Sequence, residues 1–179
     1  MRCFLALELD ETARKQLSGI QTQIRQTGVS ATYPVPEHLH ATLAFFGELT
    51  PNEVRKKAES LHAFHHAPLY VELFGLGAFP KPDHIRVVWA GFQKGREKLV
   101  KLQQTLADAL GHSNDQPFHP HVTLARVKNA NNKKRLQSLL AENKDTNFSE
   151  FKATTVTLYE SRPKNGGPYY AALERVRLQ

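Results

Sequence analysis

The sequence contains little cysteine and no long apolar segment. Its one cysteine, Cys3, has no second cysteine to pair with, and the lack of a disulfide framework is typical of proteins in reducing compartments. No stretch approaches the roughly 20 apolar residues of a membrane span, and the apolar residues 2–9 lack the charged start and cleavage site of a signal peptide. These absences predict a cytoplasmic protein without a membrane partner, and a monomer is the default expectation.

Acidic residues are outnumbered by basic ones. The 24 Lys and Arg residues against 17 Asp and Glu residues give a net charge of +7. A basic protein attracts polyanions, of which nucleic acid is the commonest, although a basic surface that binds nothing has the same composition. The charge therefore makes nucleic acid a candidate partner without identifying a site.

Strands and helices are interspersed along the chain. The apolar periodicity predicts four helices, at residues 11–27, from 51 to a stop at Pro68, at 99–110 and near 135–142. It predicts seven strands, at 2–9, 40–46, 69–75, 85–91, 119–127, 151–160 and 169–177. Hairpin patterns at 69–91 and at 151–177, the second with a turn at 164–167, favour an α+β fold with antiparallel sheets. No linker interrupts the chain, so we expect one unit over residues 1–179.

One five-residue motif occurs twice. The segment HATLA at residues 40–44 recurs 81 positions later as HVTLA at residues 121–125, and each copy opens a predicted strand. Residues i and i+2 of a strand point to the same face, so each histidine projects together with its threonine while the leucine points to the core. If the two strands lie side by side about a pseudo-two-fold axis, two imidazoles and two hydroxyls meet in one cleft.

Two histidines and two threonines in one cleft are suited to attack on a phosphodiester. Histidine titrates near neutral pH, so one imidazole can take a proton from water while the other, protonated, gives a proton to the leaving alkoxide. The hydroxyls of Thr42 and Thr123 can donate to the non-bridging phosphate oxygens. This chemistry needs no metal and no cofactor. A single such motif is more often a locally satisfied strand histidine, but two near-identical copies favour catalysis.

The motifs and their context resemble a known family. Two HxTx motifs about eighty residues apart resemble the two-histidine (2H) phosphoesterase superfamily. The longer strings look like the LigT-like RNA 2′,3′-cyclic phosphodiesterase family: EHLHATLAFFGE at 37–48, RVVWAG at 86–91, PFHPHVTLAR at 117–126 and LYES at 158–161. These matches run in order through essentially the whole chain.

The resemblance implies a bilobal α+β fold in which two antiparallel sheets flank a central cleft, with the helices outside. It implies hydrolysis of an RNA 2′,3′-cyclic phosphate to a terminal 2′-phosphate, with His40 as proton donor to the 3′ oxygen and His121 as the base. Thr42 and Thr123 are implied to bind the phosphate. The implied partner is RNA with a cyclic phosphate end, such as a tRNA fragment or a short oligonucleotide. Relatives have also been linked to making or breaking 2′-5′ RNA linkages.

One position departs from the family pattern. His38 stands where the resemblance leads us to expect Asn or a similar residue, and together with His119 it gives both motifs an HxH spacing. Because HxH on a strand can ligate a metal, a four-histidine metal site is an alternative. Catalytic zinc sites more often include carboxylates, which favours the metal-free interpretation. Activity lost with a chelator and restored with zinc would favour the alternative.

Arg126, Phe46 and Tyr170 are further candidate substrate contacts. Arg126 follows the second motif, and guanidinium groups suit phosphate geometry, although a strand charge is more often only solvated. The rings of Phe46 and Tyr170 are candidates for stacking on a base, although core packing is the better default for Phe46. The basic run at 128–135 lies beside the second motif and either guides RNA or forms a solvated loop.

Two other functions fit the same residues. One is a non-catalytic module that binds RNA ends, and it predicts salt-sensitive binding without product. The other is an RNA ligase that joins tRNA halves. The sequence contains no P-loop and no nucleotide-binding lysine motif, which disfavours an ATP-driven ligase. Product analysis on a cyclic-phosphate end separates these functions.

Overall fold

The computed structural model describes residues 1–113, 116–129, 131–164 and 168–179. Four helices are present in these ranges: α1 (Glu11–Gln26), α2 (Pro51–His62), α3 (Arg96–Ala109) and α4 (Lys133–Glu142). Nine strands accompany them: β1 (Arg2–Glu8), β2 (Ala31–Thr32), β3 (His40–Glu48), β4 (Leu69–Lys81), β5 (His84–Phe92), β6 (His121–Val127), β7 (Asn147–Ala153), β8 (Thr155–Arg162) and β9 (Tyr169–Arg177). None of the helices in these ranges combines the length and apolar character that crossing a membrane requires.

The strands form antiparallel pairs in the order β7-β4-β5-β6-β3-β1-β8-β9, and β2 adds to β6. We call β7, β4, β5 and β6 the β4 half of the sheet, and β3, β1, β8 and β9 the β1 half. The halves meet between β3 and β6 through one register pair, Ala41 opposite Val122. The predicted α+β fold with antiparallel strands is confirmed. The two expected sheets are joined at this one pair.

The predicted strand at 151–160 is in fact two strands. β7 ends at Ala153 and pairs with β4, whereas β8 begins at Thr155 and pairs with β1. The chain therefore passes from one half of the sheet to the other at residue 154. Buried apolar side chains continue on both sides of this point, so the periodicity carries no sign of the change of partner. The hairpin turn expected at 164–167 lies partly outside the described residues.

Local sequence signals set the helix ends. At α2, the Thr50 hydroxyl accepts from the Glu53 backbone N–H and the Glu53 carboxylate accepts from the Thr50 backbone N–H, so the predicted capping box is confirmed. The Asp10 carboxylate caps α1 by accepting from the Ala13 N–H at 2.7 Å. α3 begins after Gly95, whose φ of 76° and close approach to the Tyr70 carbonyl leave no room for a side chain.

The helices pack on one apolar core, and two of them reach across the junction. α1 follows β1 in the sequence but lies against β6 and β7, in the β4 half. α3 follows β5 and lies against β4 and also against β3, in the β1 half. Ala41 and Val122 are fully buried in this core. The opposite face of β3 and β6 is the face on which the motif histidines lie.

Candidate active site

The structure brings the four polar motif residues together at the junction. Ala41 and Val122 point into the core, so their neighbours on each strand point to the other face, and all four of these neighbours are partly exposed. Because Ala41 lies opposite Val122 in an antiparallel pair, His40 lies on the Thr123 side of this pair and Thr42 lies on the His121 side. Each half of the sheet therefore contributes one imidazole and one hydroxyl to the same cleft.

Each motif histidine is held by the backbone two residues before it. Nδ1 of His40 lies 2.6 Å from the His38 carbonyl oxygen, and Nδ1 of His121 lies 2.7 Å from the His119 carbonyl oxygen. A carbonyl oxygen only accepts, so Nδ1 carries the proton in both rings. This fixes the tautomer and leaves Nε2 of each ring as the atom available for proton transfer. In the neutral ring, Nε2 of His40 accepts from the Thr42 hydroxyl at 3.0 Å.

Aromatic side chains cover the two imidazoles. The ring of Phe4 stacks on His40 with centroids 5.1 Å apart, and Tyr170 meets His40 edge-on at 5.6 Å. Phe79 meets His121 edge-on at 5.0 Å. This cover removes water from the imidazoles. Burial lowers the pKa of His40 to about 4, although the hydrogen bond to the His38 carbonyl opposes the shift. Burial also lowers the pKa of His121. Both rings are therefore neutral at pH 7 in the free protein.

Arg126 and Tyr170, two of the three further candidates, lie at the cleft. Burial lowers the pKa values of His40 and His121, and the positive charge of Arg126 adds to this effect. Burial raises the pKa of Tyr170, and the charge of Arg126 opposes that rise, so its guanidinium lies within electrostatic reach of all three side chains. Tyr170 packs edge-on against Phe4, with ring centroids 4.8 Å apart. The structure thus places a cation and a phenol beside the two imidazoles.

Phe46, the third candidate, lies elsewhere. Its half-buried ring packs with the core, meets His112 edge-on at 5.0 Å and carries the Lys57 ammonium 4.5 Å above it. The neighbouring residue Phe45 is 65% exposed and lies opposite Phe4, the residue that stacks on His40. Simple alternation from Thr42 predicts Phe46 on the cleft face, but the register of β3 against β1 skips Leu43 and so shifts the alternation by one residue.

A small polar cavity that sequence reasoning missed adjoins His40. Its volume is about 70 Å³, and its walls include Glu8, Arg14, His38 and Arg175. One carboxylate oxygen of Glu8 accepts three hydrogen bonds, from the Thr157 hydroxyl at 2.6 Å, the Tyr159 hydroxyl at 3.0 Å and Nε of Arg175 at 3.0 Å. Burial acts to raise the pKa of Glu8, but these bonds and the Arg175 charge together lower it. Glu8 is recognised as part of this region only because it lies opposite His40 in the neighbouring strand. The sequence alone does not show which strands are neighbours.

The four histidines of the alternative metal site have different neighbours in the structure. His38 packs against Tyr169 and Tyr170 with ring centroids 6.1 and 5.1 Å away, and His119 packs edge-on against Phe79 and Trp89. Among the residues that the structure describes, no group of three His, Cys, Asp or Glu side chains is placed to share a metal ion. The HxH spacing in this chain instead supplies the backbone carbonyls that orient His40 and His121.

Paired HxT strands side by side in an antiparallel sheet, with helices behind them, define a two-histidine phosphoesterase fold. Comparison with known proteins agrees. The profile of the 2′-5′ RNA ligase superfamily matches residues 10–165. The chain belongs to this superfamily, and within it to the LigT-like family of RNA 2′,3′-cyclic phosphodiesterases.

Individual relatives match over almost their whole length. A protein of Aeropyrum pernix named RNA 2′,3′-cyclic phosphodiesterase is 35% identical over 90% of this chain and 94% of its own. One of the same name from Methanothermobacter thermautotrophicus is 31% identical over 99% of both chains. A crystal structure of a Thermus thermophilus protein superimposes with a TM-score of 0.82 at 30% identity, covering 99% of this chain and 98% of that one. Apo LigT of Escherichia coli, at 24% identity and covering 99% and 96%, shares the fold with a TM-score of 0.78.

Proposed function

We propose that the protein hydrolyses RNA 2′,3′-cyclic phosphate ends to 2′-phosphomonoesters by general acid–base catalysis with two histidines. The observation that carries the proposal is the pair of backbone-held imidazoles, one from each half of the sheet, which offer Nε2 to one cleft. The names of the relatives support the reaction, and the net charge of +7 supports an RNA substrate. Because each half supplies one imidazole, we propose that residues 1–179 act as one bilobal domain.

In this mechanism each histidine has one role. Nε2 of His121 takes a proton from water as the water oxygen attacks phosphorus. The bond from phosphorus to O3′ breaks, and protonated His40 gives its Nε2 proton to O3′ as it leaves. The product keeps the phosphate on the 2′ oxygen. The proton count balances, because one histidine gains the proton that the other loses, and exchange with solvent restores the starting state.

We propose that three side chains hold the phosphate during this step. The hydroxyls of Thr42 and Thr123 lie on the same face as the imidazoles and can donate to the non-bridging oxygens, where negative charge develops. Arg126 adds a positive charge within reach of both rings. We propose that these groups supply the charge stabilisation without a metal ion or another cofactor.

Substrate binding prepares the acid. His40 is neutral in the free protein because burial holds its pKa near 4. A bound phosphodiester carries a negative charge, and a negative charge beside an imidazole favours its protonated form. We therefore propose that His40 takes up a proton when substrate binds, so that the acid is charged only when there is a leaving group to protonate.

We propose that two aromatic side chains contact the nucleoside. Tyr170 borders the His40 side of the cleft, and Phe45 presents an exposed ring on the same side. Exposed aromatic rings stack on unpaired bases of RNA. A solved complex of Escherichia coli LigT with 3′-AMP is compatible with a nucleotide in such a cleft. With a 5′ hydroxyl in place of water as the nucleophile, the same site would break the bond from phosphorus to O3′ and form a 2′-5′ linkage, with His121 taking the proton of the 5′ hydroxyl and His40 protonating O3′. This is the 2′-5′ ligation that the resemblance implies.

One assay tests the proposal. The purified protein is incubated with an oligonucleotide that ends in a 2′,3′-cyclic phosphate, with and without EDTA, and the hydroxyl that retains the phosphate is identified. We expect a 2′-phosphate in both reactions, and none with a His40→Ala/His121→Ala double variant. Salt-sensitive binding without product would identify the non-catalytic RNA-end module instead. Activity that EDTA removes and zinc restores would refute the metal-free mechanism.

A further inference from the structure

Two buried glutamines reach the backbone of the two motif strands. Nε2 of Gln21 in α1 donates to the Leu124 carbonyl at 3.1 Å, and Nε2 of Gln103 in α3 donates to the Leu43 carbonyl at 3.1 Å. Gln21 is 1% exposed and Gln103 is 3% exposed. Leu43 and Leu124 occupy the same place in the repeated motif, so the two hydrogen bonds are equivalent under the internal repeat.

Both acceptors are bulged residues. The register of β3 against β1 skips Leu43, and the register of β6 against β5 skips Leu124. A bulged residue lacks a partner in the strand ladder, and a buried carbonyl without a donor is unfavourable. The glutamine amide supplies the donor that the neighbouring strand does not.

The bulges decide which side chains face the cleft. In a regular strand the residue three positions after Thr42 or Thr123 points to the opposite face. The extra residue at Leu43 or Leu124 shifts the alternation, which brings Phe45 opposite Phe4 and Arg126 within electrostatic reach of both motif histidines. The bulge at Leu43 thus sets the positions of Thr42 and Phe45 relative to each other. The bulge at Leu124 does the same for Thr123 and Arg126.

The two hydrogen bonds also connect each helix to the half of the sheet that its preceding strand does not belong to. α1 follows β1 but its glutamine holds β6, whereas α3 follows β5 and its glutamine holds β3. Gln21 makes this contact although its own Oε1 is buried and has no hydrogen-bond partner in the described part of the chain. Nε2 of Gln21 also donates to the Pro34 carbonyl at 2.8 Å, so both hydrogen bonds of this side chain come from its donor end.

We propose that Gln21 and Gln103 are positioning residues that fix the two bulges, and through them hold Thr123 with Arg126, and Thr42 with Phe45, in their catalytic geometry. The expected effects on kcat rest on the proposed function. The expected effects on the positions of the motif residues do not, and they can be measured without turnover. Gln103 acts on the His40 side and Gln21 acts on the His121 side, so their effects are separable.

The test replaces each glutamine by methionine, which has a similar length but no N–H donor. Gln23→Met and Gln104→Met are matched controls, since these exposed glutamines lie on the same two helices. Leu17→Ala and Leu102→Ala are second controls, because they destabilise the same helices at fully buried positions and remove no hydrogen-bond donor. Stability is followed by thermal unfolding and turnover by kcat and KM on a nucleoside 2′,3′-cyclic phosphate.

We expect Gln21→Met and Gln103→Met to lower kcat by about 100-fold with a smaller change in KM, because small displacements of positioning groups reduce rates by such factors. The exposed controls keep kcat within about twofold. The leucine variants lose thermal stability but keep kcat at temperatures where they are folded. If a leucine variant of equal stability loses as much kcat as the glutamine variant, the glutamines are ordinary core residues and the proposal is wrong.

A second readout needs no turnover. NMR titration of the imidazoles is expected to shift the pKa of His40 in Gln103→Met and the pKa of His121 in Gln21→Met, with the other ring less affected. Gln→Glu variants keep a donor while the buried carboxyl is protonated, so their kcat relative to the original protein is expected to recover at low pH. Unchanged titrations together with unchanged kcat would overturn the proposal. A wild-type protein that shows no turnover but whose variants show these NMR shifts would refute the proposed function alone.

Discussion

Phe45 occupies in β3 the position that Arg126 occupies in β6. Each lies five residues after its motif histidine, and each follows a bulge that turns it toward the cleft. The frame of the cleft is therefore nearly symmetric, while its two rims carry different chemistry: an aromatic ring on the His40 side and a guanidinium on the His121 side.

The first prediction concerns the aromatic rim. Phe45→Ala is expected to weaken the binding of a cyclic-phosphate oligonucleotide by about 1–3 kcal/mol, the usual contribution of one base stacked on an aromatic ring. Because Phe45 is 65% exposed, thermal stability changes little. The measurement is KM together with a melting curve.

Phe46→Ala is the matched comparison. Its ring packs with the core, so this variant is expected to lose stability and keep KM. A larger KM effect from Phe46→Ala than from Phe45→Ala would show that the assignment of the two rings is reversed.

The second prediction concerns the two imidazoles. His40→Ala and His121→Ala are each expected to lower kcat/KM by about 10²–10⁴-fold, the usual contribution of a general acid or base. The control is His62→Ala, since the side chain of His62 is 82% exposed and lies on α2. Circular dichroism checks that the fold is retained. Near-normal turnover in either motif variant contradicts the assigned roles.

The third prediction concerns the pH dependence of the rate. The pKa values of His40 and His121 are both lowered by burial in the free protein, and kcat/KM reports the free protein, so its maximum is expected below pH 6.5. A bound phosphodiester raises the pKa values of the imidazoles, so the maximum of kcat is expected at a higher pH than that of kcat/KM. Full pH profiles of both parameters provide the measurement. Maxima at the same pH would show that bound substrate does not raise the pKa values of the imidazoles.

The fourth prediction concerns the pH dependence of stability. His40 has a pKa of about 4 when folded, against about 6.5 in an unfolded chain, so the unfolded state binds more protons between these values. The free energy of unfolding therefore rises with pH over this range, and the contribution is lost as pH falls toward 4. The free energy of unfolding, measured with denaturant at several pH values, is expected to rise less steeply with pH for His40→Ala than for the original protein. Equal slopes would place the His40 pKa near its usual value.

Much of the fold and the centre of the site could be predicted because both depend on local signals. The repeated motif located His40 and His121, and the capping box located the start of α2. Phe46 packs with the core, which was its default interpretation, and the cleft position of Phe45 could not be predicted because a bulge is set by tertiary partners. The division of residues 151–160 between β7 and β8 was missed for the same kind of reason, since both segments are apolar and only the neighbouring strands differ.

The contribution of the buried glutamines was also outside the reach of sequence reasoning. Gln21 and Gln103 stand among apolar helix positions, where a polar residue signals only a partner of unknown identity. Their acceptors lie 103 and 60 residues away along the chain. The opposite holds for the histidine orientation, whose acceptors lie two residues away and follow from the strand entry itself.

Because α1 crosses the junction, its packing is like a domain swap within one chain: a helix that follows β1 in the sequence covers the β4 half. The strands of the β4 half come from the continuous segment 69–153, but the helix that lies against β6 and β7 belongs to residues 11–26. A fragment limited to 69–153 would carry His121 and yet leave the apolar surface beneath β6 uncovered. Cutting the chain at both ends of this segment would therefore expose apolar core surface to water and would not produce an independent half-site.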